Sequence, residues 1–204
     1  MSPVSPETIK LWGGSLCLDF VNSVDYDAHD RPLPAHEALA APADLARWAR
    51  RLGVSRGRRL LPVDAGELAA AHDLRAALYA VLAAIAREER PPTAALGRLM
   101  EVHAEAAGHA RLAPAEGDAA PAWRMTWPAG DPRRVRFAVA ADAIALLGDP
   151  ARVARLRRCP GRDCGWLFLD TSGRRRWCSM DTCGSREKMR RMYARRRSAT
   201  SQEP

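Results

Sequence analysis

Residues 159–186 read CPGRDCGWLFLDTSGRRRWCSMDTCGSR, and four of the chain's five cysteines fall in this stretch: Cys159, Cys164, Cys178 and Cys183. Their spacing is C-x4-C-x13-C-x4-C. Two close pairs on a short connecting segment suit a tetrahedral metal. Each pair offers two thiolates from one tight turn, and the segment between them folds back as a hairpin to bring the pairs together. Zn²⁺ fits because it accepts four thiolates and needs no redox partner. With no open coordination position, one structural zinc is expected, not a catalytic one. Three other readings compete. Disulfides are disfavoured in a chain without an export signal. A catalytic thiol pair shows C-x-x-C, which this sequence lacks. An iron–sulfur cluster also takes four cysteines, and the spacing leaves it open. Four thiolates on Zn²⁺ leave a formal charge of −2, which Arg158, Arg162 and Arg176 and the turn N–H groups are expected to offset. So small a module buries little core, so metal binding is expected to supply much of its folding free energy.

Charge concentrates at the same end of the chain. Residues 1–150 hold 17 Lys+Arg and 19 Asp+Glu, a net −2, whereas residues 151–197 hold 15 and 4, a net +11. Such asymmetry points to a polyanion partner for the C-terminal block. Ser185 to Arg197 reads as a helix. At about 100° per residue, Met189, Met192 and Tyr193 share one arc and are expected to pack on the zinc module. Basic side chains fill the opposite arc. The candidate nucleic-acid contacts are Arg186, Lys188, Arg190, Arg191 and Arg195 on this helix, with Arg174, Arg175 and Arg176 in the turn before Trp177. The arginine fork suits phosphate oxygens and guanine edges. The alternative is a solvated helix, or one that docks on an acidic protein.

The rest of the chain reads as mainly α with a small β-hairpin. A helical domain is expected over residues 1–150, a four-cysteine zinc finger of hairpin and basic helix over 151–197, and a disordered tail over 198–204. Helices are predicted over Ala43–Leu52, from Asp64 through Ile85 (Asp64 and Glu67 in capping-box spacing), from Thr93 to Gly108, and over Arg133–Leu147 after Asp131-Pro132. Ala110–Pro114 and Trp123–Trp127 are predicted to pair as a hairpin. Periodicity leaves Leu16–Val21 open between helix and strand. Within that run Cys17 reads as a buried structural cysteine, because none of the five histidines forms a motif with it. No apolar run approaches the roughly 20 residues of a membrane helix, and Met1–Lys10 has no apolar signal region. A soluble cytoplasmic protein without a membrane partner is therefore expected.

The cysteine stretch, with Cys164-Gly165-Trp166-Leu167-Phe168-Leu169-Asp170, Trp177-Cys178-Ser179-Met180 and Cys183-Gly184-Ser185-Arg186, resembles the CGNR zinc-finger family. Gly13-Gly14-Ser15-Leu16-Cys17-Leu18-Asp19-Phe20-Val21-Asn22 resembles that family's usual partner, the ABATE-type domain, and Asp44–Trp48 and the Arg75 helix fit the same pattern. The resemblance covers nearly the whole chain. It implies a bacterial transcription regulator whose helical N-terminal domain acts as a sensor, and it carries the four zinc ligands onto Cys159, Cys164, Cys178 and Cys183. Two departures stand out. Ser185 replaces the family's asparagine, keeping a small polar side chain able to cap the following helix. The turn Thr171–Arg176 is shorter than usual.

Three function classes follow. The first is a DNA-binding regulator with an N-terminal domain that senses a small-molecule effector or forms a homodimer. The second is an adaptor whose finger docks on an acidic protein. The third is an enzyme using Asp19, Asn22 and Arg75. No nucleophile–base pair, phosphate loop or open metal site supports the third, and no catalytic residue is assigned. Those three residues are instead expected either to line a ligand pocket or to fix the core through buried hydrogen bonds.

Overall fold

The computed structural model describes residues 4–56, 59–114, 123–162 and 164–200, with side chains to residue 194. Seven helices and two hairpins follow in order among these residues. They are α1 (Leu16–Val21), α2 (Pro42–Arg51), α3 (Ala65–Ala86), α4 (Thr93–His109), β1 (Arg111–Pro114), β2 (Trp123–Thr126), α5 (Arg134–Leu147), α6 (Pro150–Val153), β3 (Leu156–Arg158), β4 (Leu167–Leu169) and α7 (Ser185–Thr200). A single π turn, Met180–Gly184, leads into α7.

The ambiguous run Leu16–Val21 is helical. Its start is capped from a distance: the Asp142 carboxylate accepts the Cys17 N–H at 2.8 Å and the Ser15 hydroxyl. Cys17 itself is fully buried, and burial, with Asp142 beside it, pushes its thiol up, which keeps it protonated. At α3 the Asp64 carboxylate accepts the Glu67 N–H at 2.8 Å, but Glu67 does not reach back to complete the capping box. It is drawn to Arg136 on α5, with contacts of 3.0 and 3.1 Å, because a buried carboxylate needs a charged donor more than a cap. Thr93 is the first helical residue of α4, and Pro92 sits at the cap. β1 and β2 pair antiparallel, Leu112 opposite Met125.

Among the described residues, α3 is the one helix long and apolar enough, by length and composition, to cross a membrane. It is the central helix of the fold. It packs against α4, α5 and α1, and it carries the ion pairs of Glu67 and Arg75.

At the expected boundary, Gly148-Asp149-Pro150, the chain passes from α5 to α6. Asp149 caps α6, accepting N–H bonds from Ala151 and Arg152, so the chain turns straight from α5 into β3. One continuous core then includes residues from both sides: Leu18, Phe20, Trp48, Leu74 and Leu78 with Leu156, Leu167 and Phe168. The finger is therefore stabilised by shared apolar burial as well as by metal. The backbone of α7 runs to Thr200, and residues 201–204 of the expected tail lie outside the described residues.

Candidate metal centre and nucleic-acid interface

β3 and β4 pair antiparallel with Arg158 opposite Leu167, which brings the turn of Cys159 and Cys164 together at one end of the hairpin. The Cys159 N–H donates to the Trp166 carbonyl at 2.8 Å and closes that turn. The second pair comes from the segment after the arginine turn. There Asp170 accepts the N–H groups of Ser172 and Arg175 at 3.2 and 3.1 Å and shapes the reversal. All four Sγ atoms lie within 4.8 Å of one another and are buried. Cys178 Sγ is 3.6 Å from both Cys164 Sγ and Cys183 Sγ. A tetrahedral ion with Zn–S bonds of ~2.3 Å requires sulfurs about 3.8 Å apart, so the donor set fits zinc. None of the four is in a disulfide. The Cys178 N–H points at Cys159 Sγ at 3.4 Å, a backbone donor that offsets thiolate charge.

Two glycines are required by this packing. A Cβ on Gly161 would lie 2.9 Å from Cys183 Sγ and 3.3 Å from Cys159 Sγ. Gly165 adopts φ +62°, and a Cβ there would meet Tyr26 Cβ at 2.6 Å.

Asp19, Asn22 and Arg75, expected either to line a ligand pocket or to fix the core, are all buried and hydrogen-bonded. Asn22 acts as a strand: its Nδ2 donates to the Leu167 carbonyl at 2.8 Å and its Oδ1 accepts the Leu167 N–H at 2.9 Å. Asp19 accepts the Gly13 N–H at 2.8 Å. Arg75 donates to Ser23 Oγ at 2.6 Å and forks onto Glu37, and it borders a cavity along α3. Asp19 and Asn22 are thus ties between the N-terminal segment and its surroundings.

Burial, reinforced by Asp142 and opposed by the Gly13 N–H bond, pushes Asp19 up from 3.8 to about 6. The folded state then favours the protonated carboxyl. Its contribution to stability is full below the unfolded value and is lost as pH rises through about 6. We expect the wild type to lose on the order of 2 kcal/mol from this group between pH 4 and pH 7. Asp19→Asn, which keeps an oxygen for Gly13, should flatten that part of a urea-unfolding pH series.

Among the basic residues the structure separates two kinds. Arg175 is built in. Its guanidinium lies 4.3 Å from the Phe168 ring centroid and donates to the carbonyls of Trp12 (2.9 Å), Trp177 (3.2 Å) and Cys178. It clamps the zinc turn to the N-terminal segment and is half-buried there. Arg174, Arg176, Arg186, Lys188, Arg190 and Arg191 stand at the surface. Arg190 and Arg191 pair with Glu187 on their own helix, contacts that a phosphate can replace. The side chain of Arg195 lies outside the described residues. Of the arginines expected to neutralise the thiolates, Arg158 turns away to Asp30 at 2.7 Å and Arg176 lies 5.5 Å from the Trp177 ring centroid. Arg175→Ala is therefore expected to cost about 2–3 kcal/mol of stability, whereas Arg176→Ala costs at most about 1 kcal/mol. Parallel urea titrations check the contrast.

Two further expectations fail. Met189, Met192 and Tyr193 are 45%, 37% and 55% exposed, so α7 is held mainly by the π turn at its base and is not glued down along its length. Ser185 does not cap α7; its hydroxyl donates to the Met180 carbonyl at 2.9 Å across that turn. Sequence reasoning also missed the Asp25 carboxylate, which accepts Trp166 Nε1 at 2.6 Å and contacts His36 Nδ1 at 2.7 Å, locking the zinc hairpin to the first loop. The paired Gly165-Trp166 beside Cys164 was the available signal.

A buried four-thiolate centre on a hairpin, followed by an exposed basic helix and packed on a helical domain, defines a structural zinc-finger protein with one zinc. Residues 14–150 match the ABATE family, described as "putative stress-induced transcription regulator", and residues 155–196 match the CGNR zinc finger. The chain belongs to the ABATE family. A search of curated proteins found no match to it.

Proposed function

We propose that this ABATE-family protein is a non-enzymatic, cytoplasmic DNA-binding transcription regulator of a bacterium, with α7 and the arginine turn as its DNA-contacting surface. The carrying observation is an exposed helix that presents Arg186, Lys188, Arg190 and Arg191 from a base fixed by the zinc centre. The zinc holds the two cysteine turns and so sets the direction in which α7 leaves the core. The core in turn anchors the finger, so a change in the helical domain can be felt at the DNA surface.

Phosphate contacts release counterions, so duplex affinity should fall steeply with salt. With about five phosphates neutralised, the slope of log K against log salt is expected near −4 to −5. Arg186→Ala should reduce that slope by about one. Fluorescence anisotropy of a labelled duplex across a salt series measures both. No duplex binding even at low salt would remove the regulator reading and favour an adaptor that docks on an acidic protein.

A further inference from the structure

A cavity of about 500 Å³ opens along α3. Ala76 and Ala80, one turn apart, leave room on the helix face. The rings of Tyr26 and Tyr79, stacked with centroids 3.5 Å apart and 9° between planes, form a flat wall. Arg87 and Arg90 stand at one end. Arg87 Nη1 is 2.6 Å from Asp30 Oδ2 and Nε is 2.9 Å from Glu89 Oε2, while Arg90 has no ion-pair partner among the described residues. The lining also carries Arg75, which is held by Glu37, together with His72 and the carboxylates of Asp30 and Glu89 that pair with Arg87. An aromatic-walled space with the Arg87 and Arg90 guanidinium groups beside it is complementary to a flat aromatic body bearing a carboxylate.

The same cavity is wired to the zinc turn. Asp30 accepts from Arg87, from Tyr79 Oη at 2.9 Å and from Arg158 Nη2 at 2.7 Å, and Arg158 adjoins the ligand Cys159. Tyr79 Oη is also 3.0 Å from the carbonyl of Gly165, which adjoins the ligand Cys164. One phenol proton thus serves two acceptors. The Tyr26 N–H donates to the Cys164 carbonyl itself at 3.1 Å. A carboxylate bound at Arg87 competes with Asp30 for that guanidinium. Asp30, left with fewer donors, draws harder on Tyr79 and Arg158, and the Tyr79 bond to Gly165 weakens.

We propose that this cavity binds a small aromatic carboxylate and that its occupancy is transmitted through Asp30 and Tyr79 to the first cysteine pair. The proposal rests on the sensor half of the regulator reading and gives it a site, a ligand class and a route.

The test uses the zinc-loaded full chain and 2-naphthoate, with neutral 2-naphthamide as control. Calorimetry should show the acid binding at least about tenfold more tightly than the amide. Ala80→Phe should abolish that binding while zinc content stays at one per chain; Ala76→Phe, at the more exposed turn, serves if the first variant does not fold. Naphthoate should change the rate of zinc transfer to a chromogenic chelator by about threefold, and Asp30→Asn should retain binding but lose that change. Absence of binding at millimolar naphthoate, equal binding of acid and amide, or binding that survives both Phe variants would overturn the site. An unaltered zinc-transfer rate would overturn the route. None of these readouts involves DNA, so failure of the DNA-binding reading shows separately in the anisotropy experiment.

Discussion

Stripping the zinc, or losing one ligand in Cys178→Ser, lowers the thermal midpoint by on the order of 10 °C. Structural zinc contributes ~10–16 kcal/mol to isolated finger peptides, where metal and fold are inseparable. Here part of the hairpin's stabilisation comes from the shared core, so the apo chain keeps its N-terminal helices. It still loses the constraint that holds Leu156, Leu167 and Phe168 in that core, all at most 1% exposed. A net loss of at least about 4 kcal/mol corresponds to roughly 8–16 °C for a chain of this length. Cys178 suits the test because its Sγ sits 3.6 Å from two of the other three, inside the cluster. Melting curves before and after chelation measure the shift. An unchanged midpoint would mean that zinc contributes nothing to the fold.

The second large effect is at Asn22, 1% exposed, whose side-chain amide satisfies both backbone groups of Leu167. Asn22→Leu keeps the volume but orphans a buried N–H and a buried C=O, at about 1–3 kcal/mol each. The expected cost is about 3–5 kcal/mol, and zinc should be lost faster to a chelator because β4 is no longer tied down. Urea unfolding and chelator kinetics on the same variant read the two effects. A variant as stable as wild type would show that the bridge is replaceable by water.

The metal site was legible from the sequence because ligand chemistry fixes both residue type and spacing. The helices were legible through periodicity and punctuation such as Asp64, Pro91-Pro92 and Gly148-Asp149-Pro150. What periodicity could not supply was which polar side chain meets which backbone. Glu67 could complete a capping box or pair with Arg136, and only the packing of α3 on α5 decides. Arg175 looked identical to Arg174 and Arg176 in the sequence, yet the Phe168 ring and three carbonyls claim it alone. The amphipathic arc of Met189, Met192 and Tyr193 implied a docked helix, but an arc specifies a face and not the presence of a surface to cover it. Nor does a run of polar residues such as Asp19, Asn22 and Arg75 reveal whether they point at one space. Their partners lie in loops and strands far along the chain, on Leu167 for Asn22 and on Glu37 for Arg75.

The most direct test of the zinc-organised DNA surface is one anisotropy titration of a labelled duplex with zinc-loaded and with chelated protein at the same low salt. The account predicts tight binding by the loaded protein and a loss of at least about tenfold on chelation, because α7 leaves the core through the zinc-held turn. Equal affinity of the two forms would contradict it, since the arginines would then act as an unstructured basic tail.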